Sequence, residues 1–301
     1  MRTDLCERPR STNLVDVPSE LRGCVQYLCY RPGPPLNEFV DYFWLIQGGQ
    51  TPRLEKILPC GATELVLNLK NDAIDIHDPE KPEQYRRFTG AVFSGTYSRS
   101  FICNAVQHEE IMGVHFKAGG AFPFLNANAS ELTNAHASLA DLWGSAGHDL
   151  RERLCAAATP QRRFRIIEEV LRCRLRGETA AQVQMTTALK MLATEGNGVL
   201  IRNVARELGL PQRQFIHLFN SHVGLTPKVF CRILRFQRAR VLVEKLEKPH
   251  WAELALLCGY FDQSHLINDF QEFSGSTPRT YSLQQHQKDI RLKDNHLPLS
   301  T

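Results

Sequence analysis

The sequence predicts a multidomain α+β protein. A mainly β N-terminal domain, cupin-like or a sandwich, is joined by helices to an all-α domain with two helix-turn-helix units on one long helix. Three observations carry this. Short apolar runs broken by Gly and Pro fill about 21–123. Helical periodicity takes over near Glu131. The last third writes nearly the same stretch twice, "LGLPQRQFIHLFNSHVGLTP" (Leu208–Pro227) and "CGYFDQSHLINDFQEFSGSTP" (Cys258–Pro278).

The 301 residues suffice for two domains, and 43% hydrophobic with 23% charged content is ordinary for a globular chain. No apolar run approaches the roughly 18 residues of a membrane span. The start, "MRTDLCERPRSTNLVDVPSE", lacks the apolar centre of a secretory signal. A cytoplasmic protein without a membrane partner is expected. The nine cysteines (Cys6, Cys24, Cys29, Cys60, Cys103, Cys155, Cys173, Cys231 and Cys258) include no CxxC pair and read as small, buried, reduced thiols. From Thr187 to Tyr281 there are 12 Lys and Arg against 8 Asp and Glu, while the rest is balanced. A basic end on a neutral body points to a polyanion for that end.

Taken in order, residues 1–20 read as a flexible tail and 21–130 as the β-rich domain. Its strand candidates are Phe39–Gly49, Thr63–Asp72, Phe88–Tyr97 and Glu109–Gly120. A helical linker, open to a dimerisation role, is expected over 131–196. There Pro160 stops one helix, and "RRFRIIEEVLRCRLR" puts Phe164, Ile167, Val170, Leu171 and Leu175 on one face. Residues 197–281 form the repeated domain, and 282–301 read as a second flexible tail.

The two copies align at an offset of 50 through Ala205/Ala255 and Gly209/Gly259. After one inserted residue they align at 51 through Phe215/Leu266, Phe219/Phe270, Gly224/Gly275 and Thr226-Pro227/Thr277-Pro278. A helix ended by Gly209, a short turn and a second helix make the helix-turn-helix pattern. Asp262 is an expected N-cap. With Phe215, Leu218 and Phe219 inward, Arg213, His217 and Asn220 face out, Ile216 at the edge. With Leu266, Phe270 and Phe273 inward, Ser264, Asn268 and Gln271 face out, with Ile267 at the edge and Gln263 at the helix start. Such side chains suit base edges in a major groove, although any solvated helix face is also polar.

Between the copies, "TPKVFCRILRFQRAR" holds five basic residues and no acid. Pro227 suits a first helical turn. A helix running on to Lys245 would span about 28 Å. Lys228, Arg232 and Arg235 share one stripe, with Arg238 at its edge, and are candidates for phosphate contacts. A rod of that length could set two reading helices about one DNA turn, roughly 34 Å, apart.

These residues resemble the DNA-binding domain of the AraC/XylS family of bacterial transcription regulators. The resemblance runs through "VARELGLPQRQFIHLFNSHVGLTP", "RFQRAR" and "LALLCGYFDQSHLINDFQEFSGSTP" and covers about 199–281. It implies double-stranded DNA as partner, RNA polymerase where the regulator activates, and a homodimer as an open alternative. It implies base contacts from Arg213, Ile216 and His217 in the first unit, and from Gln263, Ser264, Ile267 and Asn268 in the second. The family usually has Arg at His217 and Asn268 and often a capping Ser at Pro211, so the operator should differ from the usual family preference.

The stretches Ile57–Leu69, Met112–Leu125 and Ala129–Gly144 resemble an N-terminal domain of one AraC subgroup and imply a small-molecule or protein effector of unspecified identity. The alternative is a small-molecule-binding or metal-dependent enzyme with a vestigial DNA-binding tail, which would keep its activity after deletion of 190–301. Its ligand candidates are His77, His108 and His115 with Asp75, Asp78, Glu109 and Glu110. They lack HxH or HxxxH spacing, and no cofactor is expected. Cys60, between Pro59 and Gly61, is the candidate sensing thiol.

Overall fold

Period-two alternation organises the N-terminal part. The computed structural model describes residues 14–16, 26–48, 54–104, 110–175, 179–194, 200–246 and 249–284. Its strands are β1 (Leu14–Asp16), β2 (Gln26–Tyr30), β3 (Val40–Gln47), β4 (Leu54–Ile57), β5 (Thr63–Asn68), β6 (Ile74–His77), β7 (Tyr85–Phe88), β8 (Ala91–Ser94), β9 (Phe101–Asn104), β10 (Glu110–Phe116) and β11 (His136–Ser138). A larger sheet runs β1-β2-β3-β10-β5-β8-β11 and a smaller one β4-β9-β6-β7, with antiparallel pairing. In the middle of the larger sheet Val114 lies opposite Phe43 on one side and Leu65 on the other.

Alternate residues of these strands serve two layers. Phe43, Leu45, Leu65, Leu67, Phe93, Met112 and Val114 are buried under helices. Their neighbours Tyr42, Trp44, Ile46, Glu64 and Val66 face the smaller sheet across a cavity of about 210 Å³. A Cβ at Gly113 would collide with the Trp44 ring, so glycine is what lets that indole lie flat against β10.

The helices are α1 (Leu139–Trp143), α2 (Ser145–Ala156), α3 (Pro160–Arg174), α4 (Ala180–Thr194), α5 (Ile201–Glu207), α6 (Gln212–Val223), α7 (Pro227–Lys245), α8 (Trp251–Leu257) and α9 (Gln263–Ser274), followed by helical turns from 278 to 284. The expected linker over 131–196 is not one element. Leu139, Trp143, Leu150, Leu154, Phe164, Ile167 and Leu171 from β11 onward through α3 join the core of the larger sheet. Met185, Ala188 and Leu192 of α4 join the core of the repeated units instead. The division follows from where each apolar stripe finds a matching surface, which periodicity alone does not specify.

Three further expectations change. Residues 14–16 of the expected N-terminal tail pair with β2, and residues 282–284 of the expected C-terminal tail are helical. The remainder of both tails, 1–13, 17–20 and 285–301, lies outside the described residues. Pro160 opens α3 rather than stopping α2: the Thr159 side chain accepts from the Arg162 N–H and Pro160 occupies the first turn. Most cysteines are not core residues. Cys258 is buried, but Cys60, Cys155 and Cys173 are exposed and Cys29, Cys103 and Cys231 intermediate. No helix among the described residues is long and apolar enough to cross a membrane.

The second core is aromatic. Phe215 and Phe219 are fully buried with ring centroids 5.8 Å apart, and Phe219 meets Phe230 at 5.5 Å. Phe219→Ala should remove the ring that links α6 to α7 and cost about 3–5 kcal/mol. Chemical denaturation of the full chain would check this, and a midpoint equal to the parent's would contradict it.

Candidate nucleic-acid interface

Both copies of the repeat fold alike. In the first, Gly209 (φ +67°) ends α5, and the Leu210 N–H returns to the Ala205 carbonyl at 2.9 Å. In the second, Gly259 ends α8, and the Tyr260 N–H returns to the Ala255 carbonyl at 2.8 Å. Ala205 and Ala255 are buried where the paired helices cross. The second helices differ at their starts. Asp262 caps α9 by accepting from the His265 N–H at 2.8 Å, whereas Pro211 opens α6 with no side-chain cap.

Helix α7 is the shared support. Thr226 accepts from the Val229 N–H, Pro227 fills the first turn, and 19 residues run without a break. Phe230 near its start packs on Phe219 of the first unit. Phe236, about 9 Å further along the axis, packs on Phe270 at 5.0 Å and Phe273 at 5.3 Å in the second. The apolar face of one helix thus fixes α6 and α9 relative to each other.

The expected base-facing residues lie outside both cores. Arg213 and His217 on α6 and Gln263, Ser264 and Asn268 on α9 are exposed, while Ile216 and Ile267 are half-buried at the edges of those faces. The candidate phosphate residues divide. Lys228 and Arg238 are exposed, the latter donating to the Ala193 carbonyl at 2.8 Å. Arg232 is turned toward α9: it donates to Asp269 at 2.7 and 3.1 Å, donates to Glu272, and lies over the Phe273 ring at 5.1 Å. Asp269 is buried, so Arg232 neutralises an interior carboxylate as well as bracing α7 against α9. Arg235 lies over the Tyr260 ring at 5.3 Å. The helical arithmetic placed these cations on one stripe, but it could not show that acids and a ring of α9 would meet Arg232 or that Tyr260, in the turn before α9, would meet Arg235.

The β domain grips the C-terminal ends of both α6 and α9. The Thr96 hydroxyl donates to the Val223 carbonyl and Thr133 to that of Gly224, at the end of α6. At the equivalent point of the second unit, Lys56 on β4 donates to the Ser274 carbonyl at 3.2 Å. These carbonyls end α6 and α9 and lack helical partners, so each contact satisfies a helix end. His222 adds a stacked contact with Phe122, centroids 3.8 Å apart. Gln237 of α7 donates to the Pro59 carbonyl. None of these docking residues was apparent in the sequence. Only the recurrence of glycine at 224 and 275 marked the positions.

In the N-terminal domain the residues considered as metal ligands are engaged separately. Asp75 accepts two bonds from Arg87 at 2.7 and 2.8 Å, and Asp78 accepts from the Glu80 and Lys81 N–H groups. His77 contacts the Pro82 carbonyl, His115 contacts Glu64 at 2.9 Å, and Glu110 accepts from Arg163 and Gln47. His108 and Glu109 lie outside the described residues. Among the described residues no group of three such side chains converges. Cys60 is exposed as a residue, yet desolvation of its sulfur pushes the thiol up, and Cys103 is pushed up to about 12. A reactive thiolate needs the opposite shift.

Comparison with known proteins bears on both parts. Residues 204–284 match a helix-turn-helix domain family and residues 29–138 a domain of unknown function (DUF6597). The probable transcriptional regulator LumQ from Photobacterium leiognathi is 35% identical over 72 residues, which is 24% of this chain and 29% of that one. The chain thus matches under a third of that relative's length. A solved transcriptional regulator with an AraC-type DNA-binding domain from Chromobacterium violaceum is 24% identical. It covers 36% of this chain and 98% of its own, with a TM-score of 0.33. ToxT from Vibrio cholerae is 8% identical and covers 77% of this chain and 97% of its own, with a TM-score of 0.41.

Two outcomes follow from the docking contacts. A Cβ at Gly224 would collide with the Thr96 hydroxyl and the Ala129 carbonyl, whereas Gly209 has open space around it and a similar positive φ. Gly209→Ala should cost about 1–2 kcal/mol from backbone strain alone. Gly224→Ala should cost clearly more and loosen the first unit from the β domain, read by thermal unfolding and limited proteolysis of the two variants. Equal losses would deny the contact. Burial lowers the pKa of His222, so the neutral ring is the one that fits against Phe122. Below about pH 6.5 the unfolded chain takes up a proton that the buried ring resists. This part of the stability is therefore complete above that pH and lost as pH falls. The melting temperature should drop from pH 7 to pH 5 in the parent and drop less in His222→Phe. Equal slopes would place the sensitivity elsewhere.

Proposed function

We propose that this chain is an AraC-type transcription regulator that reads two successive major grooves of one duplex from the same side. The observation that supports the reading is the shared seat: Phe219 of α6 packs on Phe230 near the start of one 19-residue helix, and the equivalent Phe270 of α9 packs on Phe236 at its middle. Their exposed faces carry Arg213, His217, Gln263, Ser264 and Asn268, donors and acceptors suited to base edges. Ile216 and Ile267 add apolar edges suited to thymine methyl groups. Lys228 and Arg238 are the phosphate candidates best placed by exposure, with Arg235 beside them and Arg232 acting mainly within the protein.

The β domain in this reading is the regulatory part. The 210 Å³ cavity between its sheets is lined mainly by apolar groups, with Tyr27, Tyr42, Ser94 and the carboxylates Glu55 and Glu64 as polar ones. A small, largely apolar effector suits that lining. Strand β4 connects it to the reading helices, because Glu55 and Ile57 face the cavity while Lys56 between them holds the end of α9. An occupant that shifts β4 would shift the second reader. By linkage, DNA would change the effector's affinity by the same factor.

On the duplex preferred by the parent, Arg213→Ala should weaken binding by about 1–3 kcal/mol and relax the preference at one base pair. Lys228→Ala should weaken binding nearly equally on all sequences and flatten the dependence of log affinity on log salt by about one. Titrations at several salt concentrations on specific and scrambled duplexes distinguish the two. An Arg213 variant with unchanged base preference, or a Lys228 variant with a loss confined to one sequence, would contradict these roles.

A further inference from the structure

The two copies supply an internal control for one residue. The Leu210 and Tyr260 N–H groups make the same return bond to Ala205 and Ala255, so these residues correspond. Pro211 and Asp262 are both helix N-caps, so they correspond as well. The first copy passes directly from Leu210 to its N-cap. The second inserts Phe261. The extra residue of the second unit is therefore an aromatic side chain, and it is 84% exposed.

No core need accounts for it. The adjacent Tyr260 is buried and packs under Arg235, which fills the inward position of the turn. Phe261 touches the protein chiefly through the His265 ring, edge-on with centroids 6.1 Å apart, on the first turn of α9. That first turn also carries the exposed Gln263 and Ser264. In a helix-turn-helix the N-terminal residues of the second helix enter the major groove. An apolar ring there would meet base edges, and thymine alone offers an apolar edge in that groove, its C5-methyl group.

We propose that Phe261 is a further sequence-reading residue, whose ring packs on the methyl group of a thymine next to the bases contacted by Gln263 and Ser264. The proposal rests on the DNA-binding reading above. It adds a specificity determinant that the first unit lacks, so the two halves of the operator should differ, with a required thymine in the half read by α9. The neighbouring Asp262 carboxylate, turned back onto the His265 N–H, favours an apolar contact here over a phosphate contact.

The test uses the full chain and the duplex it selects from a random pool. Each thymine is replaced singly by uracil, which removes only the methyl group. For the parent, one replacement in the α9 half should weaken binding about fourfold, the worth of one buried methyl-sized group. Phe261→Ala should bind the unmodified duplex about tenfold less tightly and be insensitive to that replacement. Phe261→Leu, which keeps an apolar side chain, should retain part of the methyl sensitivity. Both variants should melt with the parent, because the ring is exposed. If the parent binds specifically but Phe261→Ala matches it in affinity and in its response to uracil, the proposal is overturned. If the parent selects no duplex, the DNA-binding reading itself fails and this proposal with it.

Discussion

The apolar face of α7 is what α6 and α9 have in common. Phe230 belongs to the core of the first unit and Phe236 to that of the second, yet both project from one continuous helix. The separation of α6 and α9 is therefore set by where each packs along α7. Symmetric regulators obtain two readers by pairing two chains. In the proposed reading, the internal repeat of one chain would give an equivalent arrangement, and the two copies differ at the capped start of α9 and at Phe261.

The rest of the molecule attaches to this support at its back. Contacts from Thr96, Thr133 and Lys56 all end on backbone carbonyls that close α6 and α9. This leaves the N-terminal halves of both helices, with Arg213, Gln263 and Ser264, away from the β domain. Helix α4 completes the second core, and α1 to α3 complete the first, so the boundary between domains falls between α3 and α4. Gly224 is the tightest point of the joint, where a glycine is required both by its positive φ and by the approach of Thr96.

Much of the reading part was legible in the sequence because each signal had a local cause. Pro227 and the absence of Gly or Pro before Lys245 defined α7 to the residue. The spacing of Phe215 and Phe219, and of Leu266, Phe270 and Phe273, placed the buried faces. The strands around Trp44, Val66 and Met112 were legible from short apolar runs with turn-rich flanks, though neither the split into two sheets nor the cavity between them was. What stayed hidden depended on partners distant in the chain. Arg232 looked like a free cation until Asp269 and Glu272 were brought beside it. The helices of 139–174 looked like a connection because an amphipathic stripe does not state which surface it will cover.

The central claim is that α6 and α9 read the same duplex at once. The most direct measurement is selection of bound duplexes from a random pool by the full chain, followed by sequencing. The account predicts one enriched site with two specified blocks about one helical turn apart, roughly 10 base pairs between centres. Enrichment of a single block, or of none by a folded protein, would contradict it.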